Sequence, residues 1–104
     1  MKELKSYIFI DITEIAIKDF HKSKFMTFTS YCVNYGLSVL DGKTPSGDRS
    51  LLTEVYDYLK DVYCLTNDEI GDYLLEYFTL PVETLHSYQK VSVNMKKYYP
   101  NSYL

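Results

Sequence analysis

Between Leu65 and Tyr88 the chain spells out two helix starts, and these constrain the fold more than any other feature. Thr66 followed by Glu69 makes a capping box. The threonine hydroxyl accepts from the backbone amide three residues on, and the glutamate reaches back to the amide of the cap. Ile70, Tyr73, Leu74 and Tyr77 then recur at helical spacing as a buried face. Pro81 suits the first position of a further helix, where no N–H is needed. Leu85, Tyr88, Ser92, Met95 and Tyr99 line one side of that helix, and Pro100 ends it. Two amphipathic helices joined by a short corner must bury their stripes on other helices, so this half of the chain belongs to a bundle.

The same pattern runs upstream. Phe28, Tyr31, Cys32, Tyr35 and Val39 predict a helix over about 28–40, with Gly36 weakening its last turn. Asp41-Gly-Lys-Thr-Pro-Ser-Gly-Asp48 is dense in turn residues and reads as a loop. Leu51, Leu52, Val55, Leu59 and Val62 predict a third amphipathic helix over about 49–63. The N-terminus admits two readings. Tyr7-Ile-Phe-Ile10 is β-rich and suits a short strand, with Asp11 and Glu14 capping a helix over about 12–23. A continuous helix from about residue 4 is the other reading. At 104 residues the chain is long enough for one modest core. The expected fold is an all-α domain of four or five helices: an N-terminal extension over 1–25, a helical core over 26–99 and a tail over 100–104.

Twelve tyrosines stand against no tryptophan. A tyrosine packs its ring while its hydroxyl stays wet, which suits small cores and binding faces alike. Ten lysines against one arginine, Arg49, with frequent Ile, Tyr, Asn and Asp, fit an AT-rich coding genome such as that of a low-GC bacterium, its phages or its plasmids. Cys32 and Cys64 have no partner at metal-binding spacing, and both fall in apolar helical settings, so buried free thiols are expected. The apolar run at residues 7–10 is too short for a signal segment or a membrane span, and the expected location is the cytoplasm.

Catalytic signatures are missing from the sequence. It holds no Gly-rich phosphate loop, nucleophile elbow or paired-histidine motif. Glu83 and His86 share a helical face, but one Glu-x-x-His pair falls short of a carboxylate-bridged metal site. His21 has only Asp19 close by, and that neighbour points elsewhere on a helix. The expectation is a protein that is not an enzyme and uses no cofactor, metal or small-molecule substrate.

Charge carries more information. From Asp41 to Glu76 nine acids face Lys43, Arg49 and Lys60. Glu54, Asp57 and Asp61 share one face of the third helix, and Asp68, Asp72 and Glu76 share one face of the fourth. Such faces are either ordinary solvated surfaces or an acidic ridge that docks on a basic partner. By contrast His86–Leu104 holds Lys90, Lys96 and Lys97 and no acid. These lysines either complement a helix C-terminus or contact phosphate from a recognition helix.

Two resemblances extend this reading. Glu69-Ile70-Gly71 and Val82-Glu83-Thr84-Leu85 are similar to the helix-turn-helix of bacterial regulators related to sigma-factor and response-regulator DNA-binding regions. Leu75–Thr79 inserts about one helical turn between the halves, and the usual arginines are missing. That resemblance implies a DNA-binding regulator in which His86, Ser87, Lys90, Asn94 and Lys97 serve the recognition helix, within residues 81–97. Thr27-Phe28 with Tyr31, Thr44-Pro-Ser-Gly-Asp48, and Asp68-Glu-Ile with Tyr73-Leu74 resemble the YozE-type, sterile-alpha-motif-like small domains of Firmicutes and their phages. The family's Phe-Pro pair and last-helix tryptophan are absent here. This likeness implies an interaction role over residues 26–99.

The leading expectation is a small binding protein of a phage or mobile element. Glu54, Asp57, Asp61, Asp68, Asp72 and Glu76, interleaved with Tyr56, Tyr58 and Tyr73, would occlude a basic nucleic-acid-binding surface on a host nuclease or replication protein, as an anti-CRISPR inhibitor does. The alternative is the helix-turn-helix regulator. A third reading is a homodimer assembled through tyrosine-rich surface.

Overall fold

The computed structural model describes the backbone of residues 2–98 and the side chains of residues 4–92. It is all-α. The helices are α1 (Lys2–Lys22), α2 (Phe28–Leu40), α3 (Arg49–Tyr63), α4 (Asn67–Phe78) and α5 (Val82–Tyr98). The expected end at Pro100, the Met95 and Tyr99 contacts and the tail lie outside the described residues.

Residues 7–10 are helical, so the strand reading gives way to the continuous helix. The physical reason is burial. Ile8, Phe9, Ile12, Thr13, Glu14, Ile15, Ala16 and Asp19 are all buried, because α1 packs against each of the other four helices. A helix enclosed on most sides loses the polar stripe that would betray its period. A short apolar run then cannot be told from a strand by pattern alone. Asp11 and Glu14 are accordingly mid-helix residues and not a cap. Asp11 accepts a short hydrogen bond from the Tyr63 hydroxyl of α3.

The other helices begin where their caps place them. Thr27 caps α2, its hydroxyl accepting from the Ser30 amide at 3.1 Å. Asp48 caps α3, accepting from the Ser50 amide at 3.0 Å. The capping box of α4 is complete: the Glu69 amide donates to Thr66 Oγ1 at 3.2 Å, and the Thr66 amide donates to Glu69 Oε1 at 2.9 Å. Pro81 stands one position ahead of α5, and its carbonyl accepts from the Thr84 and Leu85 amides.

The core is aromatic. Phe9 meets the rings of Tyr73, Tyr77 and Tyr88 edge-on, and Tyr35 stacks on Phe78 with centroids 4.3 Å apart. Gly36 lets α4 come close: a Cβ there would lie 3.3 Å from Phe78 Cβ. The residue expected only to weaken α2 thus makes room for a helix contact. Leu51, Val55 and Leu59 form the buried side of α3, with Leu52 half-buried and Val62 half-exposed.

The two thiols part company. Cys32 is buried, and burial pushes its pKa up to about 12, so it packs as an inert apolar group. Cys64 is exposed, contrary to expectation. It ends α3 in the left-handed conformation (φ 58°), its amide donating to the Lys60 carbonyl at 2.9 Å. That C-terminal position turns the side chain out of the apolar stripe it continues in sequence.

Candidate interaction surfaces

The lysines of α1 reach sideways and neutralise part of the acidic surface. Lys18 Nζ donates to Glu54 at 3.1 Å, Lys5 Nζ to Glu76 at 2.9 Å and Lys22 Nζ to Asp48 at 2.9 Å. Exposed pairs of this kind contribute little stability. Their effect is to subtract Glu54 and Glu76 from the free charge of the two faces. Asp57 and Asp61 on α3, and Asp68 and Asp72 on α4, are exposed and form no ion pair among the described residues. Each pair sits at i, i+4, where like charges oppose helix formation by a few tenths of a kcal/mol.

Two open grooves border these carboxylates. The first, about 390 Å3, is lined by Tyr56, Asp57, Lys60 and Asn67 together with Val39 and Leu52. The second, about 280 Å3, is lined by Lys5, Glu69, Asp72, Tyr73 and Glu76. Of the candidate residues, Tyr56 and Asp57 line the first and Asp72, Tyr73 and Glu76 line the second, while Glu54, Asp61 and Asp68 line neither. Tyr56 and Tyr73 each supply a half-buried ring to one of them. Tyr58 does not join either. It faces α1, where it bonds Asp11, and its hydroxyl is held above its ordinary pKa first by burial and then by the Asp11 charge.

Asp11 and Asp48 titrate in opposite directions. Burial raises Asp11 above the ordinary 3.8, the Tyr63 and Tyr58 hydroxyls opposing the shift. Asp48 is lowered to about 2, first by the Ser50 hydroxyl and then by Lys22. Linkage gives each a sign. A raised carboxyl contributes stability below 3.8 and loses it as pH climbs through its folded value. A depressed carboxyl contributes above 3.8 and loses it as pH falls toward about 2. Carbon-detected NMR titration of the side-chain carboxyls should show Asp48 ionising near 2 and Asp11 above 3.8. Coincident midpoints would mean that neither the α3 cap nor the burial of Asp11 persists in solution.

The residues of the recognition-helix reading are dispersed. His86 is half-buried, with Nε2 2.8 Å from Thr29 Oγ1, which ties α5 to α2. Ser87 Oγ donates to the Glu83 carbonyl one turn back at 3.0 Å. Lys90 is exposed. The side chains of Asn94 and Lys97 lie outside the described residues. Among the described residues no three His, Cys, Asp or Glu side chains gather as metal ligands. None of the described helices is long and apolar enough to cross a membrane.

No family model, curated protein or solved structure matches the chain. Sequence reasoning missed the cation partners, because Lys5 and Lys18 lie far along the chain from Glu76 and Glu54. Val39 and Leu52 pack against the core as read, and they also line an open groove. Their helical phase gave no signal of the groove.

Proposed function

We propose that this protein is a non-enzymatic cytoplasmic binding protein that covers a basic surface of another protein with the acidic, tyrosine-bearing faces of α3 and α4. The observation that carries the reading is the set of four exposed carboxylates, Asp57, Asp61, Asp68 and Asp72, that form no ion pair among the described residues, with Asp57 and Asp72 each lining a groove that also holds a tyrosine ring. Unpaired like charges cost the free protein some helix stability, and a basic partner relieves that repulsion on docking. Tyrosine supplies contact area at low entropic cost. Surfaces that normally hold nucleic acid are the natural basic partners, so the reading favours an inhibitor of a nuclease or replication protein, of the anti-CRISPR kind, encoded by a phage or other mobile element.

The test begins with duplex DNA across a salt series, followed by binding to candidate basic nucleases. Duplex binding is expected to be absent even at low salt. Reversing Asp57, Asp61 and Asp72 to lysine should weaken a nuclease complex on the order of tenfold to a hundredfold, since rim charges contribute up to about 1 kcal/mol each. A tight duplex complex that falls steeply with salt and is lost in Lys90→Glu with Lys97→Glu would overturn this reading. It would promote α5 as a recognition helix reached by the three-residue corner Thr79–Pro81.

A further inference from the structure

The outer face of α2 differs from the rest of the surface. From Phe25 to Leu40 there is no acidic, basic or histidine residue. Phe28, Tyr31, Cys32 and Tyr35 account for the buried side of this helix. Its other side leaves Val33 58%, Leu37 64% and Leu40 67% exposed, with Met26 just ahead of the helix 94% exposed. Scattered exposed apolar residues need no explanation, but these are ordered. Within the helix Ser30, Val33, Leu37 and Leu40 are separated by three, four and three residues. That alternation is the seam by which one helix packs against another, each side chain entering a gap between residues of the facing helix.

We propose that α2 pairs antiparallel with α2 of a second copy of this chain, through Val33, Leu37 and Leu40. Charge selects the occupant. The chain carries a net charge of −3, and the free carboxylates of α3 and α4 would set acid against acid if two copies met there. The α2 face is a place where two copies meet with no like charges in the seam. A charged partner would find nothing on it to pair with. Antiparallel pairing sets the positive end of each helix dipole beside the negative end of the other. It also brings the end followed by Asp41 toward the end preceded by Lys24, both exposed. With the two-fold axis midway along the seam, Val33 of each copy faces Leu37 of the other, and Ser30 faces Leu40.

The expected strength follows from size. A helix of 13 residues is about 20 Å long, and a seam of that length falls below the roughly 800 Å2 per partner of a standard interface. The dimer is therefore weak and concentration-dependent, with a dissociation constant on the order of tens of micromolar.

Sedimentation of the full chain tests this, since the average mass should climb from 12.2 kDa toward twice that value as concentration rises through this range. Val33→Lys alone and Leu37→Glu alone should each remain monomeric at every concentration with unchanged helix content, as both positions are exposed. An equimolar mixture of the two variants should dimerise again. In the antiparallel pair the new lysine faces the new glutamate, and the native Leu37 faces the native Val33. A wild-type chain that stays monomeric up to about a hundred times that dissociation constant overturns the proposal. So does self-association that persists in Leu37→Glu, or single variants that are monomeric but fail to associate on mixing.

Discussion

Truncating Tyr77 to alanine is expected to remove about 4 kcal/mol of folding stability, a large part of the roughly 5–15 kcal/mol typical of a domain. Tyr77 is fully buried, packs edge-on against Phe9 and Phe78, and shares a short hydrogen bond with Thr13 of α1. The alanine variant loses the ring and leaves a cavity between α1 and α4. The phenylalanine variant loses only the hydroxyl. Thr13 keeps its bond to the Phe9 carbonyl at 2.8 Å, so Tyr77→Phe should cost about 1 kcal/mol. Urea unfolding of the three proteins measures both differences. Equal losses in the two variants would mean that the hydrogen bond, and not the ring, holds α4 to α1.

The second large effect belongs to Asp19. Its carboxyl group is fully buried and forms no ion pair among the described residues. It accepts instead from the Tyr31 hydroxyl at 2.8 Å, the Ser46 amide at 3.4 Å and, in a short bond, the Ser46 hydroxyl. One side chain of α1 thereby anchors both α2 and the loop before α3. Hydrogen bonds to a charged group contribute about 1.5–3 kcal/mol, and orphaning their donors adds a desolvation cost. Asp19→Ala is expected to destabilise by about 3 kcal/mol, and Ser46→Ala by about 1 kcal/mol. The double variant should cost clearly less than the sum, because both singles break the same contact. Strict additivity in urea unfolding would show that Asp19 does not hold the loop through Ser46.

Helices α2, α3 and α4 were legible because each carries an apolar stripe that periodicity reveals, and α4 also opens on a cap that local chemistry specifies. Thr66 with Glu69 is the clearest case, since both halves of the capping box form as written. Helix α1 was ambiguous for the opposite reason. Enclosure by four neighbours removes the contrast between faces on which pattern reading depends. The acidic residues of α3 and α4 were legible as exposed helix faces, but not as free charges, because their neutralisation depends on Lys5 and Lys18 of a helix whose own placement was uncertain. Cys64 was misplaced because an apolar stripe continues in sequence past the point where the helix ends. The close approach at Gly36 had no local signature at all, since the demand for a small residue comes from Phe78 on α4.

The central position of α1 also sets an order of events during synthesis. Its most extensive pairing is with α5, so among these five helices the one translated earliest is finished by the one translated latest. Until α5 leaves the ribosome, Phe9 lacks the Tyr88 ring that covers it and stays available to chaperones or to a neighbouring nascent chain. Closing so long a loop is entropically expensive and is rewarded only at the end. This bundle therefore completes its fold after translation of α5 and not domain-part by domain-part along the way.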